Sequence, residues 1–313
     1  MRDVMELSAG RDYVVLGDNA AVLPGLPDAT FQVIYIDPPF NTGSTRRRRT
    51  LRTVRDDDGD RGGFGGRRYR TTELGRHSYP DTFDDYAEFL APRLREARRL
   101  LTSDGTLYVH LDYREAHGVK LLLDDVFGRE CFLNEVIWAY DYGGRSSDRW
   151  PAKHDTILVY VRNDRAHYFD RTAVERIPYM APALVGSEKA RRGKLPTDVW
   201  WHTIVPTSGL EKTGYPTQKP EGVVRRALQA SSAPGARVLD FFAGSGTTGA
   251  VARKLGRRFL LVDSSTEALD VMHLRLGEND VSYTTWGTPA AVTNDDGDGD
   301  RDGRRAATPR ATR

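Results

Sequence analysis

The chain predicts an α/β protein with a doubly wound, mainly parallel sheet. Short apolar runs of strand length alternate with longer amphipathic stretches of helical period. One of those runs, "FQVIYID", is apolar almost throughout, as a strand covered on both faces requires. Two strand-like runs, "FQVIYID" and "ARVLD", lead straight into turns rich in proline or glycine. In open α/β sheets, ligands bind at the carboxyl ends of strands, where such turns sit.

The elements follow in order. "DYVVLGD" (12–18) reads as a short strand and "FQVIYID" (31–37) as a second. A basic, Gly-rich stretch, residues 44–77, interrupts the pattern and is expected to be a flexible loop. Residues 85–101 have helical spacing, with Tyr86, Phe89, Leu90, Leu94, Ala97 and Leu101 on one face. "DGTLYVHLD" is a turn and strand, and "REAHGVKLLLDDVFG" a helix stopped by Gly128. "FLNEVIWAY" and "DTILVYVRN" follow as strands. Residues 164–214 have weak periodicity, several prolines and a Trp200–Trp201 pair, and form a separate small region in this reading. Then come a helix ("PEGVVRRALQASS") and a strand–turn–helix–strand unit ("ARVLDFFAGSGTTGAVARKLGRRFLLVDSS"). The tail, residues 291–313, is Asp, Gly, Arg and Thr with little to bury, and is expected to be disordered.

Length and composition bound the function. The chain has 313 residues, enough to bury a sizeable core, and its 39% hydrophobic and 29% charged residues are ordinary for a protein in water. No apolar run has membrane-spanning length and the N-terminus does not read as a secretory signal, so the expected compartment is the cytoplasm, with no membrane partner. The single cysteine, Cys131, excludes an internal disulfide and a thiolate cluster, and its apolar strand-like context reads as structural. No His/Cys/Asp cluster suggests a metal, and His110 and His154 read as structural. The net charge is only +2, yet residues 46–70 hold ten arginines against four aspartates. Such a segment can reach nucleic-acid phosphates that the global charge would not attract.

The glycine turn points to a nucleoside-bearing cofactor. Gly244, Gly246 and Gly249 follow an apolar strand and open a helix, and the next strand ends on Asp263, placed to accept from ribose hydroxyls. A phosphate-binding loop would need Lys-Ser or Lys-Thr after the last glycine, and Ala250 stands there. NAD and S-adenosylmethionine (SAM) both fit the glycines. The other corner decides between them. In "DPPF", Asp37 closes a strand, and Pro38 and Pro39 have fixed φ and no N–H, so their carbonyls can face outward as acceptors. A carboxylate beside a carbonyl matches the two hydrogens of an exocyclic amino group, and Phe40 can stack on the base that carries it. Together with a methylsulfonium, that makes an N-methylation site.

These residues resemble the bacterial N6-adenine/N4-cytosine DNA methyltransferases in their β arrangement. The matching segments are "LGDNAAVLPGLPDATFQVIYIDPPFNTG", "GTLYVHLDYREAHGVKLLLDDVFG", "NEVIWAYDYGG", "GYPTQKP" and "VLDFFAGSGTTGAVA", in the family's order. They cover nearly the whole chain except the basic insertion and the tail. The resemblance implies a seven-stranded, Rossmann-like SAM-dependent methyltransferase fold, circularly permuted to begin at its third strand, with a small target-recognition region. Residues 1–163 would be its catalytic half, 164–214 the recognition region and 215–290 the SAM-binding half.

The resemblance also assigns the site. Asp37, Pro38, Pro39 and Phe40 would be catalytic. Asp18 would lie near the cofactor adenine and Asp263 at its ribose, with Asp240, Phe241, Phe242, Ala243, Gly244, Ser245, Gly246 and Thr247 along the rest. Thr217 and Lys219, in "TQKP", would close over the methionine part, Lys219 meeting its carboxylate. The target base, in double-stranded DNA, would be flipped out. Aspartate at position 37 favours N6-adenine; serine there would favour N4-cytosine. Arg46, Arg47, Arg48 and Arg49 would reach phosphates, and Arg191, Arg192, Lys194, Trp200 and Trp201 base edges. A cognate restriction endonuclease would have to be a separate protein, since no nuclease motif is visible, and a homodimer is an assembly the resemblance allows. Three other readings compete: an NAD-dependent oxidoreductase, a silent DNA-binding module, and methylation of RNA or a protein amide. The first leaves Asp37–Phe40 idle, the second the intact corner, and the third the matching segments beyond it.

Overall fold

The computed structural model describes residues 4–41, 44–55, 58, 61–62, 68–81, 83, 85–143, 146–206 and 209–287. The chain begins with β1 (Asp12–Leu16), α1 (Asn19–Val22) and β2 (Phe31–Ile36), then β3 (Ser44–Arg55), β4 (Arg61–Gly62) and β5 (Arg68–Asp81). Next come α2 (Tyr86–Leu100), β6 (Leu101–Leu111), α3 (Ala116–Phe127), β7 (Phe132–Ala139) and β8 (His154–Val161). A short α4 (Ser187–Arg192) and β9 (Val199–Trp201) precede α5 (Glu221–Ser231), β10 (Arg237–Asp240), α6 (Thr247–Lys254), β11 (Arg258–Asp263), α7 (Thr266–Leu276) and β12 (Val281–Thr285).

One nine-stranded sheet organises the protein, in the order β12-β1-β11-β10-β2-β6-β8-β7-β9. Its first six members are parallel, β8 and β7 add antiparallel pairs, and β9 returns parallel to β7. The expected seven strands are its middle. The count rises to nine because β12 and β9 each extend an edge. β10 and β11, from the last quarter of the sequence, lie between β1 and β2, the first two in sequence. That inversion is the permutation.

Helices cover both faces, as the apolar strands demand. On one face α2 and α3 pack Leu90, Leu94, Leu123 and Phe127 against Ile34, Ile36 and Val109. On the other, α5, α6 and α7 pack Val224, Leu228, Val251 and Met272 against Val33, Val238 and Leu261. Local chemistry sets the helix ends. The Asp85 side chain accepts the Glu88 N–H at 2.9 Å to start α2, and Gly128, at φ 92°, ends α3.

Two expectations need correction. The segment read as a flexible loop is instead an antiparallel hairpin: β3 pairs with β5 from Ser44↔Asp81 to Arg55↔Tyr69, and β4 adds a short third strand. Arginine and glycine content suggested a loop, whereas its threonines, tyrosines and valine suit strand pairing, a weaker signal in a charged background. Residues 164–214 are also less separate than their prolines suggest, because β9 joins the main sheet through Ile137↔Val199 and Ala139↔Trp201. The tail expected to be disordered lies outside the described residues. No helix among the described residues is long and apolar enough to cross a membrane.

Candidate active site

The site begins with a strand pair. β2 and β10 run parallel with Val33↔Val238 and Ile34↔Leu239 in register, so the turns after them open at the same edge of the sheet. The first turn is Asp37-Pro38-Pro39-Phe40. Tyr86, in the first turn of α2, donates its hydroxyl to the Pro39 carbonyl at 2.6 Å. The sequence reading had both proline carbonyls facing outward. In the structure Pro39's is taken by the Tyr86 hydroxyl. Asn41 follows at φ 50°, a left-handed conformation that asparagine tolerates better than most residues. Its side chain accepts the Phe83 N–H at 2.9 Å and donates to Glu115 Oε1 at 2.8 Å. The corner is thus tied to the elements on either side.

Asp37 has one engaged oxygen and one waiting. Its Oδ2 accepts from Lys219 Nζ at 2.5 Å, while Oδ1 is buried without a hydrogen-bond partner. Phe40 lies 4.6 Å from the Lys219 ammonium and 6.2 Å from the His110 ring. Beneath it runs a buried polar chain. The Tyr35 hydroxyl meets His110 Nδ1 at 2.9 Å, His110 Nε2 meets Asp155 Oδ2 at 3.0 Å, and the Tyr140 hydroxyl donates to Asp155 Oδ1 at 2.9 Å. An ionised Asp155 only accepts, so Nε2 carries the hydrogen and Nδ1 is free to accept from Tyr35. Burial pushes the Asp155 carboxyl up, but the bonds from His110 and Tyr140 and the charge of Lys219 hold it below the usual carboxylate range. Burial and Asp155 together push Tyr140 above the ordinary phenol value.

The second turn is the glycine turn. Gly244 and Gly246 take φ of 50° and 70°, and a Cβ on Gly246 would lie 2.7 Å from Met272. Asp263, ending β11, accepts the Gly244 N–H at 2.7 Å and the Ser265 N–H at 2.9 Å. Gly17 donates to the Asp263 carbonyl at 2.9 Å, which brings Asp18 to the same edge. Asp240 faces inward: it accepts the Thr248 hydroxyl at 2.6 Å and the Phe242 N–H at 3.0 Å. Burial, reinforced by Asp37 and Asp263 against the lowering effect of those two bonds, pushes it up to about 7.

A strap, residues 211–220, lies across both turns. Gln218 ties it to itself, accepting from the Thr213 N–H at 2.8 Å and hydroxyl at 2.9 Å and donating to the Glu211 carbonyl at 2.6 Å. Tyr215 sits over Gly244, its ring 3.2 Å from where a Cβ would be. The Thr247 hydroxyl donates to the Lys219 carbonyl at 3.2 Å.

The structure therefore brings Asp37, Pro38, Pro39, Phe40 and Lys219 together, with Asp18, Asp263 and Gly244 along the same edge. Lys219, expected at a cofactor carboxylate, is found on Asp37. The Phe241 side chain is fully buried in the core, so only its backbone faces the turn; its carbonyl accepts from Asn19 at 2.7 Å. Phe242 is half-buried near Phe89, while Ala243, Ser245 and Thr247 are buried in the turn, and Thr217 is exposed on the strap. Trp200, expected at base edges, is buried, with its indole donating to the Thr197 carbonyl at 2.9 Å; Trp201 is exposed. Arg191 and Arg192 are exposed on α4, Lys194 pairs its backbone with Ile177, and Arg46, Arg47, Arg48 and Arg49 lie in β3 opposite 76–79. Sequence reasoning missed Tyr86, Tyr140, Asp155 and Tyr215. Only Tyr86 carried a signal, its place on the buried helical face, which says nothing of its hydroxyl.

Residues 31–273 match the DNA methylase family of N6 and N4 amino-methyltransferases, and the chain belongs to that family. It is a DNA methyltransferase. Among curated relatives, the DNA adenine methyltransferase YhdJ of Escherichia coli (strain K12) is 26% identical over 276 residues, covering 84% of this chain and 82% of its own length. The type II methyltransferase M.HpaI of Haemophilus parainfluenzae is 27% identical over 254 residues, covering 81% and 70%. Among solved structures, the PvuII cytosine-N4-specific DNA methyltransferase shares the fold with a TM-score of 0.59 at 16% identity, over 87% of this chain and 88% of that one. The M1.HpyAVI–SAM complex does so with a TM-score of 0.54 at 18% identity, over 85% and 99%.

Two outcomes follow from this geometry. Between about pH 4 and 7 the folded protein holds a proton on Asp240 that the unfolded chain has lost, so this group makes stability fall as pH rises. Urea unfolding of Asp240→Asn, set against wild type across that window, will show wild type losing on the order of 1 kcal/mol per pH unit relative to the variant. Parallel curves would refute the assignment. Tyr86→Phe removes only the hydroxyl from Pro39 and will lower kcat for methyl transfer about tenfold, the worth of one hydrogen bond, with cofactor affinity unchanged in a direct binding titration.

Proposed function

We propose that the chain transfers a methyl group from S-adenosylmethionine to the exocyclic N6 of an adenine flipped out of double-stranded DNA. The observation that carries this reading is the buried Oδ1 of Asp37, without a hydrogen-bond partner; the Pro38 carbonyl is proposed as the second acceptor. Two acceptors side by side take both hydrogens of an amino group. That draws the nitrogen lone pair out of conjugation with the ring, so nitrogen becomes a nucleophile. Phe40 stacks on the base and offsets part of the few kcal/mol lost on unstacking. The amino group of a paired base is engaged in the duplex, which is why the base must leave it.

S-adenosylmethionine, when bound, supplies the electrophilic methyl carbon. The residues present suit it. Gly244 and Gly246 hold the left-handed backbone of the turn, Asp263 would accept from the ribose and Asp18 would flank the adenine. As the nitrogen is methylated its surplus proton passes toward the Asp37 carboxylate. The carboxylate at position 37 and the resemblance to an adenine-methylating relative support adenine over cytosine; an N4-cytosine amine offers the same two hydrogens and is the second reading.

The deciding experiment incubates the protein with labelled SAM and unmethylated genomic DNA, digests to nucleosides and identifies the product. N6-methyladenine is expected, reduced about 10²–10³-fold or more in Asp37→Ala. N4-methylcytosine would correct the base, and no labelled nucleoside would refute the reading. The β3–β5 hairpin is proposed to hold DNA phosphates, supported by the eleven arginines of residues 44–81. Replacing residues 44–81 with a short Gly-Ser linker will lower the slope of log affinity against log salt by about 2 or more, at roughly 0.9 per phosphate contact. An unchanged slope would exclude the hairpin from the interface.

A further inference from the structure

The Lys219–Asp37 pair has no part in the chemistry above. Lys219 Nζ lies 2.5 Å from Asp37 Oδ2, with the two side chains 13% and 19% exposed. The same nitrogen stands 4.6 Å from the centre of the Phe40 ring. An ammonium has three N–H donors and no lone pair. On Asp37 it engages Oδ2, beside the Oδ1 left for the amine, and over Phe40 it takes the ring face on which a base would stack. One group thus leans on both the carboxylate and the ring of the catalytic corner.

We propose that Lys219 covers the base-stacking subsite on Phe40 in the free enzyme, so that an incoming base must displace it. The inference rests on the amino-methylation reading above. The strap makes such an exchange mechanically simple. Its backbone is fixed by Gln218 and by Thr247 on the Lys219 carbonyl, and Pro220 restricts the preceding residue to extended conformations. Only the four-carbon stem has to swing. The displaced ammonium stays within the field of Asp155, whose carboxyl it already helps to keep ionised. A neutral base gives Phe40 and Asp37 weaker contacts than the ammonium it displaces. The exchange is therefore unfavourable for a base that brings nothing else. It becomes favourable for one held by further contacts along the DNA, so the lysine sets a threshold for which bases are methylated. A site open only part of the time lowers apparent affinity by that fraction.

Two measurements test this. The first is amine acetylation of the free protein, read at Lys219 by mass spectrometry. Lys219 is expected to react about tenfold more slowly in wild type than in Asp37→Asn, in proportion to the time the amine is free. Equal rates would overturn the proposal. The second is kinetic, on Lys219→Met and Lys219→Arg with unmethylated genomic DNA and a random single-stranded oligonucleotide. Lys219→Met is expected to lower KM for DNA about tenfold, more for the oligonucleotide, with SAM affinity unchanged by calorimetry, while Lys219→Arg restores the wild-type KM. Weaker SAM binding in Lys219→Met would make the lysine a cofactor ligand, and an unchanged or raised KM would make it a support for Asp37; either overturns the proposal. Wild-type protein that methylates no DNA while its Lys219 stays protected would overturn the amino-methylation reading and, with it, this role for the lysine.

Discussion

The pairing of β2 with β10 is the constraint on which the rest of the site depends. Adjacent strands lie about 4.8 Å apart, so the turns that leave their carboxyl ends are confined to one small edge. One turn presents a carboxylate and a carbonyl, the other glycine backbone. Neither would meet the other if the strands were neighbours in sequence only. The partner of Val33 is Val238, contributed from the far end of the chain, and both are fully buried. The apolar character of β2 and β10 is thus what brings donor and acceptor chemistry together. Tyr86 and the strap then lock each turn to the sheet and to the other.

Charge in this edge is strongly biased. Asp18, Asp37, Asp240 and Asp263 all close strands or follow them; Lys219 answers Asp37 directly and Arg93 lies near Asp18. Asp240 shows the result, since Asp37 and Asp263 add to burial in raising it. Such an edge favours a positively charged guest. Below Phe40, the Tyr35–His110–Asp155–Tyr140 chain is satisfied along its length, which makes it a rigid floor in a low-dielectric interior. The floor holds the ring while the carboxylate above it keeps one oxygen uncommitted.

Much of this was legible in the sequence because it depends on backbone chemistry. Proline at 38 and 39 and glycine at 244 and 246 dictate turns whatever surrounds them, and the strand-ending aspartates mark the ligand edge. The helices were legible from their apolar faces and caps. Side-chain partnerships across the fold were hidden. Tyr86 reads as a core residue, yet its hydroxyl fixes Pro39 from 47 positions away. Lys219 reads, through the resemblance, as a partner of a cofactor carboxylate, yet it reaches Asp37 across 182 positions. Trp200 looked available because it sits among prolines and basic residues, but a single edge strand buries it. The hairpin failed for another reason: its glycines and arginines mask pairing that only tertiary or cross-strand context reveals.

The permuted order of segments leaves the site's chemistry unchanged but fixes its wiring. The region proposed to read DNA leaves the sheet after β8, next to catalytic β6, and returns through β9 at the edge. Its direct continuation is the strap, which crosses the glycine turn with Tyr215 and ends on Lys219. In an arrangement with the cofactor segment first, that covalent link would join different elements. Here any contact that shifts residues 164–214 pulls on a short, self-tied segment whose last side chain occupies the catalytic carboxylate. Gln218 keeps the segment stiff enough to transmit such a pull, and Thr247 couples its end to the helix that opens at the glycine turn. The region proposed for recognition, the glycine turn and Asp37 are thus joined through the strap, residues 211–220.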